Sequence, residues 1–229
     1  MPERRRAELS PPPPGQVAFA LEALAELFHR EPPLPRRAPL DELLLTLLSQ
    51  NTNDLNRDRA WEALRSAFPT WEQVLAAPSA AVEEQIRVAG LAPTRTARMK
   101  AVLAEVKARE GKLDLARLEE LPLDEGLAYL LSLPGIGRKT AACVLLFCFG
   151  KRVMPVDTHI ERVTKRLGWA PEKATPDQIS LMLGQATPPE RLFEFHINLI
   201  AVGRALCRPK HPLCADCPLA GFCAETGKG

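Results

Sequence analysis

Residues 131–142 read Leu-Ser-Leu-Pro-Gly-Ile-Gly-Arg-Lys-Thr-Ala-Ala. An apolar helical stretch closes on Leu133, Pro134 to Gly137 can turn the chain sharply, and an alanine-rich run opens a second helix. Glycines in the turn let the backbone take positive φ and come close to a partner. The amides of the turn and of the new helix N-terminus then point outward together, which makes an anion site. One phosphate of a DNA backbone fits such a site without any sequence being read.

The rest of the chain carries the same helical character. Val17, Ala20, Leu21, Leu24, Leu27 and Phe28 form one apolar stripe, and so do Met99, Val102, Leu103 and Val106, and Leu192, Phe195, Leu199, Val202 and Leu206. Further helices are predicted near 41–49, 53–66, 71–77, 80–88, 123–132, 138–149, 157–167 and 176–184, with the 22 prolines and 13 glycines mostly in the gaps. The one strand-like fragment, Arg152 to Val156, is too short to found a sheet. The expectation is an all-α fold. Its 229 residues, 46% hydrophobic, suffice for one substantial core or two small ones. Residues 1–15, Pro-rich and basic, read as a flexible N-terminal arm, and the character of the chain changes near residue 150.

Thirty basic residues against 28 acidic leave a net charge of only +2, which taken as an average argues against a phosphate-binding protein. The distribution reverses that. From Pro134 to Arg166 seven basic residues (Arg138, Lys139, Lys151, Arg152, Arg162, Lys165 and Arg166) face only Asp157 and Glu161, so this stretch carries +5 and the remainder −3. The longest apolar run, Ala141 to Phe149, is about half the length of a membrane span, and no signal peptide opens the sequence. A soluble, intracellular protein without a membrane partner is expected. In a reducing compartment six cysteines favour metal ligation or burial over disulfides.

Four of them, Cys207, Cys214, Cys217 and Cys223, follow C-x6-C-x2-C-x5-C, with prolines and a glycine between that let the chain fold around one object. Tetrahedral zinc is the generic reading of four cysteines, but it usually comes with two C-x2-C pairs. The irregular spacing suits a wider cubane iron–sulfur cluster, and both remain open on spacing alone. Cys143 and Cys148, inside the apolar run, are expected to be core thiols, and His211 a surface residue.

Lys139 falls in the first turn of its helix, where the dipole disfavours a cation. Partial burial would add to this and move the amine towards the neutral form needed for nucleophilic attack. A helix over 137–149 is about 19 Å long. The eight residues from Gly150 to Asp157 span up to about 26 Å, so the chain can return and set Asp157 beside Lys139. Asp157-Thr-His-Ile also reads as a helix N-cap, with the carboxylate facing a positive helix end.

Residues 133–141 (Leu-Pro-Gly-Ile-Gly-Arg-Lys-Thr-Ala), 156–163 (Val-Asp-Thr-His-Ile-Glu-Arg-Val), the four cysteines and 47–52 (Leu-Leu-Ser-Gln-Asn-Thr) together resemble the endonuclease III family of DNA glycosylases over roughly residues 40–223. The resemblance implies a helix-hairpin-helix fold of two helical domains with a DNA-binding cleft between them. One is a six-helix domain over 40–150; the other joins 16–39 to 151–229 and carries a [4Fe-4S] cluster on Cys207, Cys214, Cys217 and Cys223. It implies a base excision repair enzyme, monomeric and cytoplasmic (nucleoid-associated in a bacterium), acting on double-stranded DNA with a damaged base or abasic site. In that scheme Lys139 attacks C1′ of an extruded nucleotide, Asp157 stabilises charge and assists proton transfer, and β-elimination nicks the strand. Gln50 fills the gap left in the duplex and Leu91 wedges into the stack. Pro134, Gly135, Gly137 and Arg138 contact the backbone, Arg208 and Lys210 face phosphates, and His159 lines the cleft or supports Asp157. Ala92-Pro93 stands where the family commonly has a bulkier pair, which touches the opposite-base contacts. A monofunctional glycosylase for mismatched bases and a non-enzymatic DNA-binding module are the competing readings.

Overall fold

The computed structural model describes residues 9–28 and 37–226. Residues 1–8 of the expected N-terminal arm lie outside them, and helix α1 begins at Pro14, inside the stretch assigned to that arm. Among the described residues all regular structure is helical, and no helix is long and apolar enough to cross a membrane. The chain divides into two compact units, Arg37–Phe149 and Met1–Arg36 with Gly150–Gly229.

The unit Arg37–Phe149 is built on α2 (Pro39–Ser49) and α8 (Arg138–Phe149), which pack on each other. Both are apolar on nearly every face and therefore buried on nearly every face. Leu43, Leu44 and Leu48 of α2 and Val144 and Leu145 of α8 are fully enclosed, each contributing about 1.5–3 kcal/mol by removal from water. Around this pair lie α3 (Asp54–Ala67), α4 (Trp71–Ala76), α5 (Ser79–Ile86), α6 (Ala92–Glu110) and α7 (Leu123–Leu131). The resemblance implied six helices here. There are seven, because α4 is a six-residue segment separated from α5 by Pro78, which caps α5 instead of continuing α4.

The other unit comprises α1 (Pro14–Phe28), α9 (Thr158–Arg166), α10 (Pro176–Ala186), α11 (Leu192–Ala205) and the C-terminal cysteine loop. α11 lies against α1 and α9. Arg191 ties the elements by pairing with Glu22 of α1 and Glu194 of α11. Trp169 stacks on Phe222, beside the last cysteine, and donates its indole N–H to Gln16 of α1. The strand-like fragment 152–156 is buried at Val153, Met154 and Val156, but it takes no regular structure and, among the described residues, pairs with no strand. It crosses α10, where Met154 N donates to Ser180 O and Gly184 leaves room for the Arg152 carbonyl, and Pro155 O meets His196 Nδ1 at 3.0 Å.

Candidate active site

The hairpin is pinned from beneath. Leu133 and Ile136 are buried, so Pro134, Gly135, Gly137 and Arg138 are turned to the surface between them. Gly135 has φ +74°, which excludes most side chains, and a Cβ there would lie 3.3 Å from the Arg98 stem. Gly137 has an ordinary φ, and a Cβ on it would meet nothing within 4 Å. Only the first glycine is needed for the turn itself; the space before Gly137 is open. α8 starts at the next residue, so its first-turn N–H groups face that space. Lys139 is exposed, contrary to the partial burial expected from sequence: its neighbour Thr140 takes the inward position instead.

α9 begins differently. Asp157 is its N-cap, and Oδ1 accepts from the backbone N–H of both His159 and Ile160 at 2.9 Å. Neither bond uses Oδ2. The cap sets the carboxylate orientation and leaves one oxygen for other work. Lys139 belongs to one unit and Asp157 to the other. His159 turns its ring towards α11: a Cβ on Gly203 would come within 2.6 Å of the His159 Cβ. Its Nδ1 lies 3.1 Å from the Arg162 guanidinium, which can only donate, so Nδ1 accepts and the ring proton sits on Nε2. These contacts give His159 a supporting place behind the Asp157 cap.

The same helix holds the cysteine loop. Arg162 donates to the carbonyls of Thr158, Gly203 and Cys207, and Arg166 to those of Arg208 and Pro209. Arg166 Nη1 also lies 3.5 Å from Cys207 Sγ, and the Cys223 thiol donates to the Arg166 carbonyl. Leu219, fully buried, anchors the loop. Cys207, Cys214, Cys217 and Cys223 all line one cavity of about 410 Å³. Among the described residues no three His, Cys, Asp or Glu side chains converge on one ion-sized point. Burial pushes the Cys217 thiol pKa up, and the other three thiols add to it. Arg208 and Lys210 are exposed at the loop surface, as is His211, and Cys143 and Cys148 are buried in α8.

Gln50 ends α2, with its side-chain Oε1 accepting from Arg98 at 3.3 Å. Leu91 stands in the left-handed region, φ +52°, and is 61% exposed. Ala92 and Pro93 behind it open α6. Two residues missing from the sequence reading join these segments. Arg98 reaches from Gln50 to the stem of the hairpin at Gly135, and Arg95 beneath it is buried. A signal for the second was present: Arg95 falls in the apolar stripe of α6 with Ala92, Met99 and Val102, where a charge is out of place.

The family model for HhH-GPD superfamily base excision DNA repair proteins matches residues 44–189, well over half of the chain. The chain belongs to that superfamily. Within it, endonuclease III of Bacillus subtilis is 31% identical over 214 residues, 93% of this chain and 94% of that protein. Endonuclease III of Thermotoga maritima is also 31% identical, over 83% of this chain and 86% of its own. Among solved structures, a trapped covalent endonuclease III–DNA intermediate superposes with a TM-score of 0.78 at 29% identity, covering 95% of this chain and 98% of that one. The all-helical helix-hairpin-helix architecture is therefore that of this superfamily.

Proposed function

We propose that the chain is a bifunctional DNA glycosylase: it removes damaged, chiefly oxidised, pyrimidines from double-stranded DNA and nicks the abasic strand. The observation that carries this reading is Lys139 in the first turn of α8, exposed immediately behind the glycine hairpin. A primary amine there can act on a sugar whose phosphate rests on the hairpin amides. The desolvation absent from the free protein comes from the duplex that covers the residue.

The steps follow from these groups. The damaged nucleotide leaves the stack, because C1′ cannot be reached inside the duplex. Gln50 and Leu91 occupy the gap. The Lys139 amine attacks C1′, the C–N glycosidic bond breaks, and the base leaves with the electron pair and takes up a proton. Asp157 Oδ2 stabilises the positive charge developing on the sugar and accepts the proton released by the amine. Ring opening gives a Schiff base, loss of a C2′ proton expels the 3′ phosphate, and hydrolysis frees the lysine. Pro134, Gly135, Gly137 and Arg138 hold the backbone of the lesion strand, Arg208 and Lys210 meet phosphates farther along, and His159 steadies the Asp157 cap.

Cys207, Cys214, Cys217 and Cys223 are the ligands we assign to a [4Fe-4S] cluster. Four thiols on one cavity of about 410 Å³, in the irregular spacing C-x6-C-x2-C-x5-C rather than two C-x2-C pairs, support a cubane over zinc. Bound, it would fix the loop that presents Arg208 and Lys210; the sugar chemistry needs none of its electrons. The two units correspond in this reading to a helix-hairpin-helix domain and a cluster domain. The protein acts as a monomer in the cytoplasm.

A panel of duplexes, each with one defined lesion, tests the reading when base release and strand nicking are scored separately. Release with nicking on oxidised pyrimidines is expected. Release without nicking would replace it with a monofunctional enzyme, and neither event with a DNA-binding module.

A further inference from the structure

The segments that carry Gln50 and Leu91 are separate turns, one closing α2 and one opening α6. Each contains a non-glycine residue in the left-handed region, Asn51 at φ +53° and Leu91 at φ +52°. A leucine takes that conformation only when its surroundings impose it. One side chain lies beneath both. Arg95 is 6% exposed, and among the described residues no carboxylate pairs with it. Its five guanidinium N–H groups go to five backbone carbonyls: Nη1 to Leu47 and Leu48, Nη2 to Gln50 and Ala89, Nε to Gly90. Three of these belong to the end of α2, where the helix leaves carbonyls without partners, and two to the turn before Leu91. The Arg95 backbone N–H adds a bond to Leu91 O at 3.0 Å.

We propose that Arg95 is a positioning residue that holds the Gln50 and Leu91 turns at a fixed spacing, so that both side chains meet the duplex together. The planar fork is what makes this possible, since its donors diverge in one plane and can serve two turns at once. A lysine keeps the charge but offers three donors from one nitrogen, which cannot reach both groups of carbonyls. The functional half of the inference rests on the proposed extrusion of a nucleotide; the clamp itself does not.

Arg95→Lys separates the two. In the free full-length protein, hydrogen–deuterium exchange of residues 48–53 and 88–93 is expected to rise together by at least about tenfold, with the hairpin at 133–138 unchanged. With a 2-aminopurine placed beside a lesion, the rise in emission on binding should be lost in Arg95→Lys, while affinity for undamaged duplex stays within about threefold. Faster exchange in one segment alone, in neither, or throughout the unit overturns the proposal. So does loss of the folded state, which would make Arg95 a general core residue, or a wild-type emission signal in the variant. If the wild type gives no emission rise with any lesion, the proposed function fails, and the exchange result still decides the clamp.

Discussion

The two helices whose starts carry the proposed catalytic residues, Lys139 and Asp157, begin in opposite ways. α9 is closed by its own chain: Asp157 Oδ1 takes two amide hydrogens, Gly203 admits His159, and Arg162 and Arg166 fasten the far end to the cysteine loop. α8 is left open, with Gly137 facing empty space and Lys139 exposed. A capped start fixes one functional group in one orientation. α8 begins at the hairpin, beside the open space in front of Gly137, and a phosphate is the natural occupant of such a helix start. The basic residues divide along the same line. Arg162 and Arg166 spend their donors on carbonyls, Arg152 on Gln185 O and Lys165 on Glu161, whereas Lys139 stays exposed. Local charge, then, divides: part of it staples the protein and part of it stays exposed, although both parts attract phosphate at long range.

The sharpest challenge to this contrast is Asp157→Asn. Asparagine caps a helix about as well as aspartate, so melting should hardly move, and duplex affinity should hold within about twofold. Single-turnover base release should fall by roughly 10²–10⁴-fold. A wild-type rate would reduce Asp157 to a cap and erase the difference between the two helix starts. Next in size is Gly203→Ala. Its Cβ would stand 2.6 Å from the His159 Cβ, so α9 and α11 must separate, at about 1–3 kcal/mol. For a chain of this length that lowers Tm by about 2–4 °C per kcal/mol, read by calorimetry; an unchanged Tm would show that the closed start is not tightly packed.

The two hairpin glycines give the finest distinction. Gly135→Ala, forced into positive φ, should destabilise by about 1–2 kcal/mol in a denaturant titration. Gly137→Ala should leave stability unchanged and weaken duplex binding by the worth of about one hydrogen bond, roughly 0.5–1.5 kcal/mol. Equal losses of stability at both positions would make the hairpin an ordinary connection.

Much of this was legible in the sequence because it depends on local periodicity and punctuation. The α6 and α11 stripes and the Asp157 cap could be read directly, and so could the hairpin between Leu133 and Arg138; the α1 stripe holds from Val17 to Leu24, but Leu27, read as part of it, is exposed. The cysteine spacing suggested one enclosed object, and the four residues do line one cavity. What escaped depends on contacts far apart in the chain. Arg95 meets carbonyls 45 to 48 positions away, and Arg162 and Arg166 reach 41 to 45. The exposure of Lys139 was misread because a helix start says nothing of which first-turn residue turns inward; here Thr140 does.

If Lys139 at the start of α8 is a nucleophilic amine, borohydride must trap it on the DNA. Wild-type protein incubated with duplex containing an oxidised pyrimidine or an abasic site should be reduced to a stable covalent adduct, seen as a shifted band. Lys139→Gln should give no adduct and no nicking while still binding the duplex. Base release by the wild type without any adduct, or an undiminished adduct in Lys139→Gln, would contradict the account.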